Sequence, residues 1–177
     1  RTPLLMTTAE NTPPTGQSGF TMVEVLVTLV VFSIGLVGFA SLQMNSLQVN
    51  HVALMRSMAT IQAQDLADRM RANRAGVTQG HYDDPSAAAH TDCTTTAGCN
   101  PAELAENDVY EWNQTLADDL PDGQGFVCVD STPDASVNPA AGPACDGAGS
   151  LHTIYVTWTE TVKGGAATRT FSVSIKP

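Results

Sequence analysis

The chain has 177 residues, 42% of them apolar, and a net charge of −10 from 8 basic and 18 acidic residues. This suits one modest domain plus an extension, with enough apolar content for a packed core. From Ala75 onward only Lys163, Arg169 and Lys176 stand against 14 carboxylates, a net −11; such a surface repels phosphate backbones and argues against nucleic-acid binding by that part of the molecule.

Residues 1–19, RTPLLMTTAENTPPTGQSG, are polar and rich in Thr and Pro. They cannot bury a core and are expected to be disordered. Met6 is a candidate start. From Phe20 to Ala40 the chain is apolar for 21 residues with one charge, Glu24. That length spans a bilayer as a helix. A secretory signal carries its small-residue cleavage site after the apolar core. Here the small-residue junction, Gly19-Phe20, precedes it, so cleavage there removes the polar leader and keeps the helix. A carboxylate at the centre of a membrane helix costs roughly 2.5–3.5 kcal/mol, and such residues point to a function by default.

The stretch GFTMVEVLVTLVVFSIGLVG, from Gly19 to Gly38, resembles the N-terminus of type IV pilins and the related pseudopilins. The resemblance implies that a prepilin peptidase cuts between Gly19 and Phe20 and methylates the new N-terminal Phe20. It also implies that Glu24 sets registry during assembly, by pairing with the N-terminal amine of a neighbouring subunit as helices stack into a filament. A charge inside an apolar bundle is tolerable only when paired, and a carboxylate in the first turns meets the favourable end of the helix dipole. The sequence departs from the family pattern in two places. No Lys or Arg stands just before Gly19, and no proline occurs between Phe20 and Asp84 where major pilins carry a helix-kinking one. Gly35 and Gly38 read as small residues for close helix packing.

The helix is expected to run on from Phe20 to Asn73, with Gly76 as its stop. Val52, Met55, Ala59, Ala63, Leu66 and Met70 recur at spacings of three and four, an apolar stripe on which a globular domain can dock. Arg69, Arg71 and Arg74 suit the negative end of the dipole. The stretch QAQDLADRMRANRAG, Gln62 to Gly76, is similar to the region after the helix in minor pilins of the PilV kind, the type IV pilus modification proteins.

Cys93, Cys99, Cys128 and Cys145 form no CxxC pair and have no histidine at zinc-ligand spacing. An even count behind a membrane-targeting N-terminus favours disulfides in an oxidising compartment. Of the three connectivities, the local pairing Cys93–Cys99 and Cys128–Cys145 is preferred because short loops close easily. Residues 77–100 read as a loop. Asn100-Pro101-Ala102-Glu103 reads as a helix start with N-cap, N1 proline and capping box. Leu104, Val109, Trp112, Leu116 and Leu120 give that helix its apolar face, and Pro121-Asp122-Gly123 ends it. Gly125 to Asp130 alternates as a short strand. Leu151 to Val162 and Ala167 to Pro177 are β-rich and joined by Lys163-Gly164-Gly165, a hairpin signal.

The expected fold class is therefore α+β and pilin-like: a long N-terminal helix, its N-terminal half transmembrane, packed on a small antiparallel sheet. Three segments follow: a leader peptide over 1–19, the long helix over 20–74 and a periplasmic globular domain over 75–177. No catalytic constellation stands out; His51, His81, His90 and His152 are scattered, and Asp83-Asp84 and Asp118-Asp119 read as solvated carboxylates rather than a Ca²⁺ site. The chain reads as the substrate of an enzyme and not as an enzyme, with no metal and no cofactor. The resemblance implies a minor pilin of a type IV pilus that helps start assembly near the tip. Its partners would be other minor pilins, the major pilin, the prepilin peptidase, the inner-membrane assembly platform and a candidate tip adhesin. The chain would sit single-pass in the inner membrane of a Gram-negative bacterium, with its domain in the periplasm, and then pass into the pilus. Two alternatives stand beside this: a minor pseudopilin of a type II secretion system, and a membrane-anchored adhesive binding module.

Overall fold

The computed structural model describes residues 19–133, 137, 142–162 and 165–177. Met6, the disorder expected of the leader up to residue 18, and two of the three residues of the Lys163-Gly164-Gly165 turn lie outside the described residues. The chain divides into two units, one ending at Ser46 and one running from Leu47 to Pro177. A single helix, α1 (Met22–Ala72), supplies residues to both.

In the first unit every described residue is exposed. Helix α1 is long and apolar enough there to cross a membrane, and none of that stretch is buried. The helix hydroxyls within the apolar run to Ala40 turn back onto the helix: Thr28 donates to the carbonyl of Val25 at 2.8 Å and Ser33 to that of Leu29 at 2.7 Å. Neither is left to seek a partner in an apolar surrounding, where an unsatisfied polar group costs several kcal/mol. Methyl groups added at Gly35 or Gly38 would meet nothing within 4 Å, so both glycines leave a smooth open face.

The second unit is a layer of helices on a sheet. The strands β1 (Gln124–Val129), β2 (His152–Val162) and β3 (Gly165–Ile175) pair antiparallel in the order β1-β2-β3. Gly125 lies opposite Val156, and Val156 opposite Phe171. One sheet face carries Val127, Ile154, Val156 and Trp158, with Phe171, Val173 and Ile175 partly buried beside them. Against it pack the C-terminal part of α1, through Met55, Ala59, Ala63, Leu66, Ala67 and Met70, and helix α3 (Pro101–Asp119). Apart from Val52, which is only half-buried, the stripe expected from spacing is the buried one. On α3 the core takes Ala105, Val109, Trp112 and Leu116, and Leu120 at its end. Leu104 is only half-buried, and Ala105 takes the core place instead. The opposite sheet face holds a smaller cluster of Cys128, Tyr155 and Val137 with Phe126 and Cys145.

The start of α3 follows its sequence closely. Asn100 caps the N–H groups of Ala102 and Glu103 at 3.0 and 2.9 Å, and the Glu103 carboxylate accepts the N–H of Asn100 at 3.0 Å. The ends of α1 differ from expectation. It begins at Met22 and not at Phe20, because Thr21 acts as the cap: its hydroxyl accepts the N–H of Glu24 at 3.3 Å. It ends at Ala72, and Gly76 does not stop it. Asn73 breaks the helix, and a short helix α2 (Arg74–Thr78) follows with Gly76 inside it.

Candidate assembly interface

Gly19 and Phe20 are exposed and precede the first helical turn. Glu24 is the acidic residue of that turn, three residues past the Thr21 cap. The cap fixes where the helix starts, and so fixes the carboxylate one turn from Phe20 at the positive end of the helix dipole. Among the described residues Glu24 is the one charge from Gly19 to Met55. The side chains around it are large and apolar, and Phe20 and Met22 stand 83% and 86% exposed. The segment thus presents an apolar cylinder with a single acceptor of positive charge. Such a surface suits lipid or a bundle of like helices and is incompatible with free exposure to water.

The segment Gln62 to Gly76 joins α1 to the rest of the second unit by polar pins. Asn73 does three things at once. Its Oδ1 accepts the N–H of Gly76 at 3.0 Å, and its amide donates to the carbonyl of Pro101 at 2.9 Å and to the Tyr82 hydroxyl at 3.3 Å. A methyl added at Gly76 would overlap the Asn73 amide, which is why glycine stands there. The Tyr82 hydroxyl donates to Asp108 Oδ2 at 2.5 Å. The other oxygen of Asp108 lies 3.6 Å from the Arg69 guanidinium, which also contacts Asp65 at 2.8 Å and Glu111 at 3.1 Å. Burial is the main cause raising both the Tyr82 and the Asp108 pKa above their ordinary values. Buried polar groups of this kind stabilise only when fully paired, and here each member has partners. Asp65, Arg69, Asn73 and Gly76 are thus the working residues of the DLADRMRANRAG stretch. Tyr82 and Asp108, which complete the network, fall in a loop and on a helix without any sequence signal beyond an aromatic in a polar surrounding.

The cysteines form two bridges, Cys93–Cys99 and Cys128–Cys145, closing separations of 6 and 17 residues. The first closes the loop before α3, around a 3-10 turn at Thr91–Thr94. The second ties the long connection between β1 and β2 across the outer sheet face. Tyr155 adds to it by donating to Asp130 at 2.5 Å, and the Ser131 hydroxyl donates to Asp146.

One carboxylate of each acidic pair singled out by sequence is engaged in the fold. Asp83 accepts the N–H of Val129 at 2.9 Å, and Asp119 accepts the Gln62 amide at 2.7 Å. Among the described residues no group of three or more His, Cys, Asp or Glu side chains is gathered for a metal ion. His152 is buried, and among the described residues neither ring nitrogen has a partner; burial lowers its pKa, opposed by the nearby charge of Asp83.

Comparison with known families fits this geometry. Residues 14–40, which include Gly19, Phe20 and Glu24, match the family model of the prokaryotic N-terminal methylation motif. Residues 41–110, which include the polar pins, match the family model of type IV pilin Tt1218, the Tt1218-like family. No curated protein and no solved structure matches the chain.

Proposed function

With a type IV pilin match and a prepilin methylation motif as premise, we propose that the chain is a minor pilin of the PilV kind, a structural subunit that helps initiate a type IV pilus near its tip. The observation that carries this reading is the placement of Glu24. It is the one charge in the exposed apolar stretch from Gly19 to Ala40 and stands one turn behind Phe20. Cleavage after Gly19 gives Phe20 a positive amine, which methylation leaves basic. When helices stack, that amine on one subunit and Glu24 on the next neutralise each other. Any other register leaves a buried charge unpaired, at a cost of roughly 3–5 kcal/mol. The carboxylate therefore selects correct stacking among alternatives that an apolar surface alone would accept equally. In this reading the partners are other minor pilins, the major pilin, the prepilin peptidase and the inner-membrane assembly platform. The domain over 75–177 faces the periplasm until assembly carries it outward.

The test is fractionation of a producing strain. The processed chain, starting at Phe20, is expected in sheared filaments at low abundance, with fewer filaments when the chain is deleted. A processed chain whose deletion leaves piliation intact and blocks protein secretion would mark a pseudopilin. A chain that stays in the membrane and leaves both processes intact would mark an anchored binding module.

A further inference from the structure

The two edges of the sheet are treated in opposite ways. On β1 the outward main-chain groups of Gly125, Val127 and Val129 are engaged in turn. Asn113 bonds both the N–H and the carbonyl of Gly125, at 2.8 and 3.2 Å. The N–H of Asp84 donates to the carbonyl of Val127 at 3.0 Å. Asp83 accepts the N–H of Val129 at 2.9 Å, and Gly147 donates to the carbonyl of Val129 at 3.1 Å. On β3, among the described residues, no main-chain hydrogen bond is made beyond the pairing with β2. Natural edges of this kind are blunted by shortness, a bulge, a proline or charged side chains. β3 is long and has no bulge or proline: it pairs with β2 over Gly165–Ile175 in unbroken register, Lys176 and Pro177 come only after it, and its one charge, Arg169, is held by Glu160.

The charge beside this edge is also exceptional. Arg56 and Thr60 of α1 and Trp158, Arg169, Thr170 and Phe171 of the sheet line a cleft of about 440 Å³. Glu160, buried, accepts from the Trp158 indole at 3.1 Å and from Nε of Arg169 at 2.9 Å. That grip aims Arg169 and leaves its terminal nitrogens without a partner among the described residues, as is the whole guanidinium of Arg56. Near the other end of the strand, Arg71 and Arg74 lie against Pro177. Four of the eight basic residues thus lie along β3, with Arg71 paired to Asp68 at 2.6 Å, in a chain whose part beyond residue 74 carries −11.

We propose that the open edge of β3 and its cleft form a docking site for an extended, acidic segment of a partner protein, added to the sheet as a fourth strand. Main-chain bonds to β3 would supply affinity, as in strand addition generally. Carboxylates on the added strand would reach Arg56 and Arg169, and apolar or Thr side chains would cover the part of Phe171 that is left exposed. The arginines decide which strands are admitted, since complementary charge governs specificity and encounter.

The test uses the full chain in detergent micelles and two peptides of about ten residues, a usual strand length, one alternating Thr and Glu and the other Thr and Lys. The Thr/Glu peptide is expected to bind and to slow hydrogen exchange of the β3 amides; the Thr/Lys peptide is expected not to. Arg56→Glu and Arg169→Gln are each expected to weaken binding about tenfold. Arg56 is exposed and unpaired, so its replacement leaves the fold intact. Equal binding of both peptides, no binding, or protection away from β3 would overturn the proposal. Protection of β3 in the protein alone, rising with its concentration, would assign the edge to a second copy and overturn it too. None of these outcomes bears on filament assembly through α1.

Discussion

Trp112 donates its indole N–H to the main-chain carbonyl of Gln62, 2.8 Å away. This bond joins α3 to α1 at the centre of the core, with the ring fully buried. The ring lies where any side chain on Gly125 would stand, so a methyl there would overlap it. One aromatic therefore holds two helices and one strand at fixed separation, and the glycine is the concession that the strand makes to it.

Two substitutions separate these roles. Trp112→Phe removes the donor and leaves a void, and the expected loss is about 2–4 kcal/mol. Gly125→Ala keeps the bond but forces the ring aside, with an expected loss of about 1–3 kcal/mol. Thermal melts of the two variants and the double mutant check this. Near-additive losses would mean that ring and glycine are independent, contrary to the contact.

The phenol of Tyr82 is held above its usual range by burial first and by its bond to Asp108 second. A folded pKa above the unfolded one stabilises below the unfolded value, about 10 for tyrosine, and that contribution is lost as pH rises past it. Alkaline unfolding should therefore coincide with ionisation of Tyr82. Absorbance titration of the phenolates, compared between the parent and Tyr82→Phe, is expected to lose one late, cooperative step in the variant. Loss of an ordinary, early phenolate step in Tyr82→Phe, in place of the late one, would contradict the buried network.

The pKa of His152 moves in the opposite direction, because burial disfavours its charged form. A lowered folded pKa means stability that is present above the unfolded value, about 6.5, and lost as pH falls through the folded one. Asp83 opposes the shift from nearby, and its carboxylate is already committed to Val129. His152→Leu is expected to remove part of the acid sensitivity of the melting temperature below about pH 6.5, with little change at neutral pH. An unchanged acid limb would place the sensitivity elsewhere.

Glu24→Ala is expected to leave membrane insertion and leader cleavage nearly intact, because it removes a costly charge from an apolar helix. If Glu24 sets registry as proposed, incorporation into filaments should fall, since the neighbour's amine would lose its partner at roughly 3–5 kcal/mol. Glu24→Asp keeps the charge with a shorter reach, and a partial defect is expected. Sheared-filament abundance beside membrane levels of the processed chain measures both. Normal incorporation of the alanine variant would remove Glu24 as the registry element.

Local chemistry determined much of this protein from the sequence alone. The apolar run with its one carboxylate, the stripe from Met55 to Met70, the capping box at Asn100 and the alternating strands each state their structure within a few residues, because periodicity and caps act locally. The start and end of α1 were less visible. A threonine hydroxyl and an asparagine that satisfies three groups set them, and which backbone group a short polar side chain chooses depends on what the fold brings near. Only the tertiary structure decided the rest. Tyr82 meets Asp108, Asn73 meets Pro101, and Asn113 closes the edge of β1 across separations that carry no periodic signal. The open edge of β3 is of the same kind. Sequence makes β3 a strand, but whether its outer main-chain groups are covered depends on where every other segment ends up.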